Sequence, residues 1–173
     1  MRKLKNEELG RITAEEFKNS SKLPLIIVLD NIRSLHNIGS VFRSADAFRV
    51  EAIYLCGITA CPPHREIQKT ALGATESVAW KYFKTTQEAL AELRKNNYVL
   101  LGIEQTDQSV PLHSFIPEAQ KKYAAIFGHE MNGIEETLLP MLDTCIEIPQ
   151  EGTKHSLNVS VSAGIVAWHF FRH

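Results

Sequence analysis

LIIVLDNIRSLHNIGSVFRSADAFRVEAIYLC, residues 25–56, reads as a complete strand–helix–strand unit. Leu25 to Asp30 is an apolar run closed by an acid, and Glu51 to Cys56 is a second run of strand length. Between them Ile38, Val41, Phe42, Ala45 and Phe48 recur at offsets 0, 3, 4, 7 and 10, one stripe of an α-helix. Asn37 stands where an N-cap belongs, while Ser40, Arg43, Ser44 and Asp46 fall off the stripe. Two apolar strands joined by a helix form a parallel pair.

The rhythm continues in both directions. YVLLGIE (98–104), AAIFG (124–128) and TCIEI (144–148) are further runs of strand length. Thr86 to Asn96 reads as a helix with Ala89, Leu90 and Leu93 inward, and Arg94 and Lys95 suit the negative end of its dipole. Arg65 to Thr75 reads as another. This alternation predicts an α/β fold, a mainly parallel sheet with helices on both faces. A last helix from about Leu157 is apolar on nearly every side, which in a chain this small calls for a second subunit. Residues 1–22 are polar apart from Leu4, Leu9, Ile12 and Phe17, and are expected to form a short helical extension ahead of one domain over 23–173. Trp80 and Trp168 are expected to pack the core and the subunit seam.

Composition bounds the function. The chain has 173 residues, 44% hydrophobic and 23% charged, enough for one core and too apolar for disorder. A net charge of −1, from 19 Lys+Arg against 20 Asp+Glu, excludes a wholly basic surface, so any nucleic-acid contact is local. Three scattered cysteines, and no apolar targeting segment behind MRKLKNEELG, point to a cytoplasmic chain with reduced thiols. Val159 to Phe171, the longest mostly apolar stretch, falls short of the roughly 20 residues that cross a bilayer. Cys56, Cys61 and His64 have the spacing of a partial zinc site but lack a second paired unit, so no metal is expected.

Three segments carry more polar and glycine residues than folding requires. In residues 29–48, Asn37 and Gly39 open the first helix and Arg43 projects about two turns in, where free helix N–H groups and a planar guanidinium suit a phosphate. In 124–136 a buried strand runs into Gly128, Glu130 and Gly133, and glycines at a strand's carboxyl end let a ligand approach backbone. In 145–170 Ile148-Pro149 ends a strand, Gly152 permits a sharp loop, and Ser156-Leu157-Asn158 precedes the last helix. Ser156 and Asn158 serve equally as helix caps or as donors and acceptors for a base or ribose.

Together these segments resemble the SpoU (TrmH) branch of the SPOUT RNA methyltransferases. The likeness rests on Asn37, Gly39 and Arg43; on Phe127, Gly128, Glu130 and Gly133; and on Ile148, Pro149, Gly152, Ser156, Leu157, Asn158, Val159, Ser160 and Ala163. Thr70 to Ala74 ahead of Val78 resembles the family's middle region, so the likeness covers residues 24–173. His129 and Met131 are bulkier than the family's pattern in the second motif. The resemblance implies methyl transfer from S-adenosyl-L-methionine to a ribose 2′-hydroxyl of structured RNA, tRNA or rRNA, by a homodimer with a C-terminal trefoil knot. It also implies cofactor binding at Gly128, Ile148 and Leu157, with Gly102, Phe127, Gly133 and Pro149 beside them. Arg43 would be the catalytic centre, flanked by Asn37, Glu130, Ser156 and Asn158. Arginine stays protonated in proteins, so Arg43 is read as gripping the phosphate next to the target ribose rather than as a base. Two alternatives stay open: a non-catalytic RNA-binding or ribosome-assembly module, and a methyltransferase acting on a base nitrogen.

Overall fold

The computed structural model describes residues 1–173, apart from the side chain of Asn6. Helix α1 (Ala14–Asn19) precedes β1 (Leu23–Asp30), and α2 (Leu35–Ala47) leads to β2 (Val50–Cys56). α3 (Arg65–Ala71) and α4 (Ala74–Ser77) lead to β3 (Ala79–Phe83), and α5 (Thr86–Lys95) to β4 (Tyr98–Ile103). β5 (Val110–Pro111), β6 (Lys122–Phe127) and β7 (Thr144–Glu147) follow through loops and short 3₁₀ turns, and α6 (Val159–Arg172) closes the chain.

The strands form one sheet in the order β3-β2-β1-β6-β4-β7-β5, every neighbouring pair parallel. All carboxyl ends therefore lie along one edge. β1 explains the unbroken apolar run at the start of the unit: Leu25, Ile27 and Leu29 pack with residues of α2, α3 and α6, and Ile26 and Val28 pack with residues of α5 on the other face.

Local chemistry moved several boundaries. α2 begins at Leu35 rather than at Asn37, because Ser34 is the cap: its Oγ accepts the Asn37 N–H at 3.2 Å. The apolar stripe extends back one step, to Leu35 at i−3 from Ile38. The helix expected over Arg65 to Thr75 is two, broken where Leu72 and Gly73 take positive φ of 50° and 90°. α6 starts at Val159, one residue past its cap Asn158, rather than at Leu157. β3 is an edge strand with four of its five residues exposed, so no buried alternation marks it. Trp80, expected in the core, stands on that edge at 37% exposure.

The extension is docked at one point. Phe17 of α1 is 3% exposed and belongs to the main core, with the Lys22 ammonium 4.6 Å above its ring. α6 lies against α2, where Phe48 meets Trp168 and Phe171 at ring distances of 5.7 and 5.5 Å. The segment between β4 and β6 crosses α6: His169 Nε2 donates to the Phe115 carbonyl at 2.7 Å, and the Phe115 ring lies 6.0 Å from that of Phe170. Burial of His169 holds its imidazole below the usual range. Among the described residues no helix is long and apolar enough to cross a membrane.

Replacing Phe17 by Ala is expected to lower unfolding free energy by about 3 kcal/mol, since it opens a core cavity. Leu9→Ala, at a residue 41% exposed, is expected to change it by less than about 0.5 kcal/mol. Urea unfolding of both variants checks this.

Candidate active site

The carboxyl edge of the sheet holds a cavity of about 720 Å³ at the ends of β4, β6 and β7. Three loops close it: 104–106 after β4, 128–134 after β6, and 148–158 after β7. The second doubles back on itself, with His129 and Gly133 exchanging both backbone bonds at 3.0 and 2.8 Å. A Cβ at Gly128 would stand 2.1 Å from the Gly133 carbonyl carbon and 2.3 Å from Ile134 N, so only glycine permits this turn. The third loop is tied on near its carboxyl end: Gln105 Nε2 donates to the His155 carbonyl at 3.3 Å, and Asn158 Nδ2 donates to Asn37 Oδ1 at 3.1 Å.

Glu130 joins the start of α2 to this rim. Its carboxylate accepts the N–H groups of Arg33 at 3.1 Å and Ser34 at 3.0 Å, and the Asn37 amide at 3.4 Å. These donors sit at the positive end of the α2 dipole. Burial pushes the Glu130 carboxyl up, but the Ser34 and Arg33 N–H groups and the Asn37 amide outweigh it, leaving Glu130 below the usual carboxylate range.

The loop from β1 to α2 is also pinned from β2. Asn31, at a φ of 55°, accepts the Ile58 N–H on Oδ1 at 3.1 Å. Ile32 N donates to Thr59 Oγ1 at 2.9 Å, and that hydroxyl donates to the Leu29 carbonyl at 3.0 Å. Beneath them Asp30, 1% exposed, takes the Thr86 hydroxyl on Oδ1, and its other oxygen has no partner among the described residues. Burial raises its carboxyl, with Thr86 opposing.

Of the residues singled out in the sequence, Phe127, Gly128, Glu130, Gly133, Ile148, Ser156, Leu157 and Asn158 line the cavity. Gly102 and Pro149 do not; they adjoin Ile103 and Ile148, which do. Asn37 is bonded to the rim through Glu130 and Asn158. Arg43 is exposed on α2, lies outside the lining, and makes no hydrogen bond or ion pair among the described residues. Burial pushes the Cys56 thiol up to about 12, far from a ready metal ligand. Glu104 and Gln105, which no motif included, also line the cavity. Their signal was present: an acid closing the buried run YVLLGIE at the sheet's carboxyl edge, where open parallel sheets bind ligands.

An open parallel α/β sheet with a glycine-turned, nucleotide-sized cavity at a single carboxyl edge defines the class. The sequence model of the SpoU rRNA Methylase family matches residues 24–168, and the chain belongs to that family. It is 32% identical over 149 residues to the 23S rRNA (guanosine-2′-O-)-methyltransferase RlmB of Neisseria meningitidis serogroup B, covering 86% of this chain and 58% of the relative. It is also 32% identical over 151 residues to the tRNA (guanosine(18)-2′-O)-methyltransferase of Mus musculus, covering 86% of this chain and 9% of that protein. The chain thus spans little more than half of the first relative's length and a small part of the second's. The structure of the AdoMet-bound rRNA methyltransferase from Sinorhizobium meliloti superposes with a TM-score of 0.80 at 24% identity, over 88% of this chain and 60% of that one. The A. aeolicus TrmH/SpoU tRNA modifying enzyme gives 0.78 at 24% identity, over 92% and 79%. These two likenesses show the fold.

A carboxylate whose folded pKa is depressed adds stability above its unfolded value, and that stability is lost as pH falls through the folded one. Glu130→Gln is therefore expected to be about 1 kcal/mol less stable than the parent at pH 7, a deficit that closes as the pH falls from about 5 through the carboxyl's depressed folded value. Parallel denaturant titrations of the two proteins across that range measure it.

Proposed function

We propose that this chain transfers the methyl group of S-adenosyl-L-methionine to a ribose 2′-hydroxyl in structured RNA, tRNA or rRNA. The observation that carries the reading is the convergence of the three glycine-bearing segments at one rim, where Glu130 and Asn158 both bond to Asn37. The two curated relatives are named for ribose methylation of guanosine, which supports ribose rather than a base nitrogen as the target.

The cavity's chemistry suits the cofactor. Its lining includes Glu104, Glu130, Glu136 and Glu147 and, among the described residues, no lysine or arginine. That balance favours a ligand with a sulfonium and an ammonium against one carboxylate. Backbone at Gly128, Ile148 and Leu157 would hold the base and amino-acid ends, between apolar walls from Ile103, Phe127 and Ile146. The cofactor supplies a methyl group on cationic sulfur.

The chain's own residues bind and orient the RNA. Arg43 stands about 9 Å along α2 from Asn37 at 1.5 Å per residue, and a helical arginine leans back toward the N-terminus. There it grips the phosphate next to the target ribose, while Asn37 and Ser156 orient the hydroxyl. The guanidinium stays protonated, so the hydroxyl proton passes to that phosphate or to a neighbouring group.

The active unit is a homodimer. Val161, Ile165, Trp168 and Phe171 give α6 an apolar stripe 36 to 52% exposed, and a second copy seated on it lies next to α2 and Arg43. The C-terminal segment threads a trefoil knot. In support, α6 returns from β7 at one side of the sheet to α2 and β1 at its centre, beneath the segment that holds Phe115.

Incubation with methyl-labelled S-adenosylmethionine and total RNA is expected to label RNA, with the label on ribose after digestion to nucleosides. Arg43→Ala is expected to lower the rate at least about 100-fold with cofactor affinity unchanged. Label on nucleobases, or none with the cofactor bound, overturns the reading. Val161→Glu combined with Ile165→Glu is expected to elute as a folded monomer in size-exclusion chromatography with light scattering, without transferase activity.

A further inference from the structure

Glu104 closes β4 and presents its carboxylate to the cavity. Both oxygens are held by backbone: Oε1 accepts the Gln105 N–H at 2.9 Å, and Oε2 accepts the Ile134 N–H at 3.0 Å. Gly133 makes the room. A Cβ there would stand 2.1 Å from Glu104 Oε2, so this glycine, at a φ of 67°, leaves the space the carboxylate fills. The group is thereby clamped between the end of β4 and the loop after β6, with none of the rotational freedom of an exposed glutamate.

An ionised carboxylate has about four acceptor sites, two on each oxygen. One backbone N–H on each oxygen leaves one free site on each, side by side. We propose that Glu104 binds the vicinal 2′- and 3′-hydroxyls of the cofactor's adenosine ribose, one hydroxyl per oxygen; this rests on the S-adenosylmethionine reading above. Two donors on adjacent carbons are the natural complement of two acceptor sites on one carboxylate. An acid beyond the end of a parallel strand holds the nucleotide ribose in other open α/β sheets for the same reason. The neighbouring walls, Ile103, Ile134 and Ile146, are apolar and suit the base, which leaves the adjoining polar anchor to the sugar. The other lining carboxylates have other engagements. Glu130 holds Arg33, Ser34 and Asn37, Glu147 takes the Ser109 hydroxyl at 3.1 Å, and Glu136 is exposed. No lysine or arginine among the described lining residues competes for Glu104.

Titration calorimetry with S-adenosylhomocysteine and its 2′,3′-dideoxy analogue tests the assignment. The parent protein is expected to bind the dideoxy ligand about 100-fold more weakly, the loss of two hydrogen bonds to a charged acceptor. Glu104→Gln is expected to narrow the gap to about 10-fold, because one oxygen with its two acceptor sites has become a donor while the other still takes one hydroxyl. Gly133→Ala, which drives a methyl into the carboxylate, is expected to narrow the gap in the same way. A purely structural Glu104 would weaken both ligands equally, and a gap that stays near 100-fold in Glu104→Gln, or is missing in the parent, overturns this inference while the cofactor reading stands. No binding of S-adenosylhomocysteine by the parent protein overturns both.

Discussion

The Glu130 carboxylate is the constraint on which the site depends. It lies in the loop after β6, yet its acceptors are spent on Arg33, Ser34 and Asn37, almost a hundred residues earlier in the chain. The first two are open backbone N–H groups ahead of α2 and the third a side-chain amide in its first turn, so one ionised side chain both satisfies a helix start and sets the distance from the cavity to everything α2 carries. Asn158 repeats the link from the third loop through Asn37. The orientation of α2 is thus determined twice over, once by each wall of the cavity. Its opposite flank is fixed by Asn31 and Thr59 against the loop after β2.

This arrangement separates charge. The cavity is acidic, whereas the exposed guanidinium of Arg43 stands outside it on α2. A near-neutral chain thus segregates its charges, without a basic surface. The all-parallel sheet makes this possible, since strand ends widely spaced in sequence arrive at one edge.

Much of the fold was legible because its signals are local. The runs around Leu25–Asp30 and Tyr98–Ile103 are apolar on both faces, as central parallel strands must be, and the α2 stripe repeats at helical offsets. The edge strand β3 was not legible, because Ala79 to Lys81 bury no alternate face. The Ser34 cap was missed because Asn37, an equally good cap by type, stands nearer the apolar stripe, and only the Ser34 hydroxyl bond to Asn37 N separates the two. In the site, glycines and amides announced their loops through composition. Glu104 announced only its place, an acid at the end of a buried run; its contact with Gly133 and Ile134, thirty residues away, is encoded by no spacing rule.

α6 joins two demands in one rigid element. Its first turn is capped by Asn158, whose Oδ1 takes the Ser160 N–H at 2.9 Å while its Nδ2 reaches Asn37 at the cavity rim. Its 14 residues span about 21 Å, and along that length Val161, Ile165, Trp168 and Phe171 face outward. Bending a helix this short strains its hydrogen-bond ladder, so a shift at one end is carried to the other. Whatever covers the apolar stripe therefore acts on the Asn158–Asn37 bond through the helix, and through Asn37 on the register of α2 against the cavity. The small residues Ala163 and Ala167, both fully buried, let α6 lie close to the core and leave it little slack to absorb such a shift.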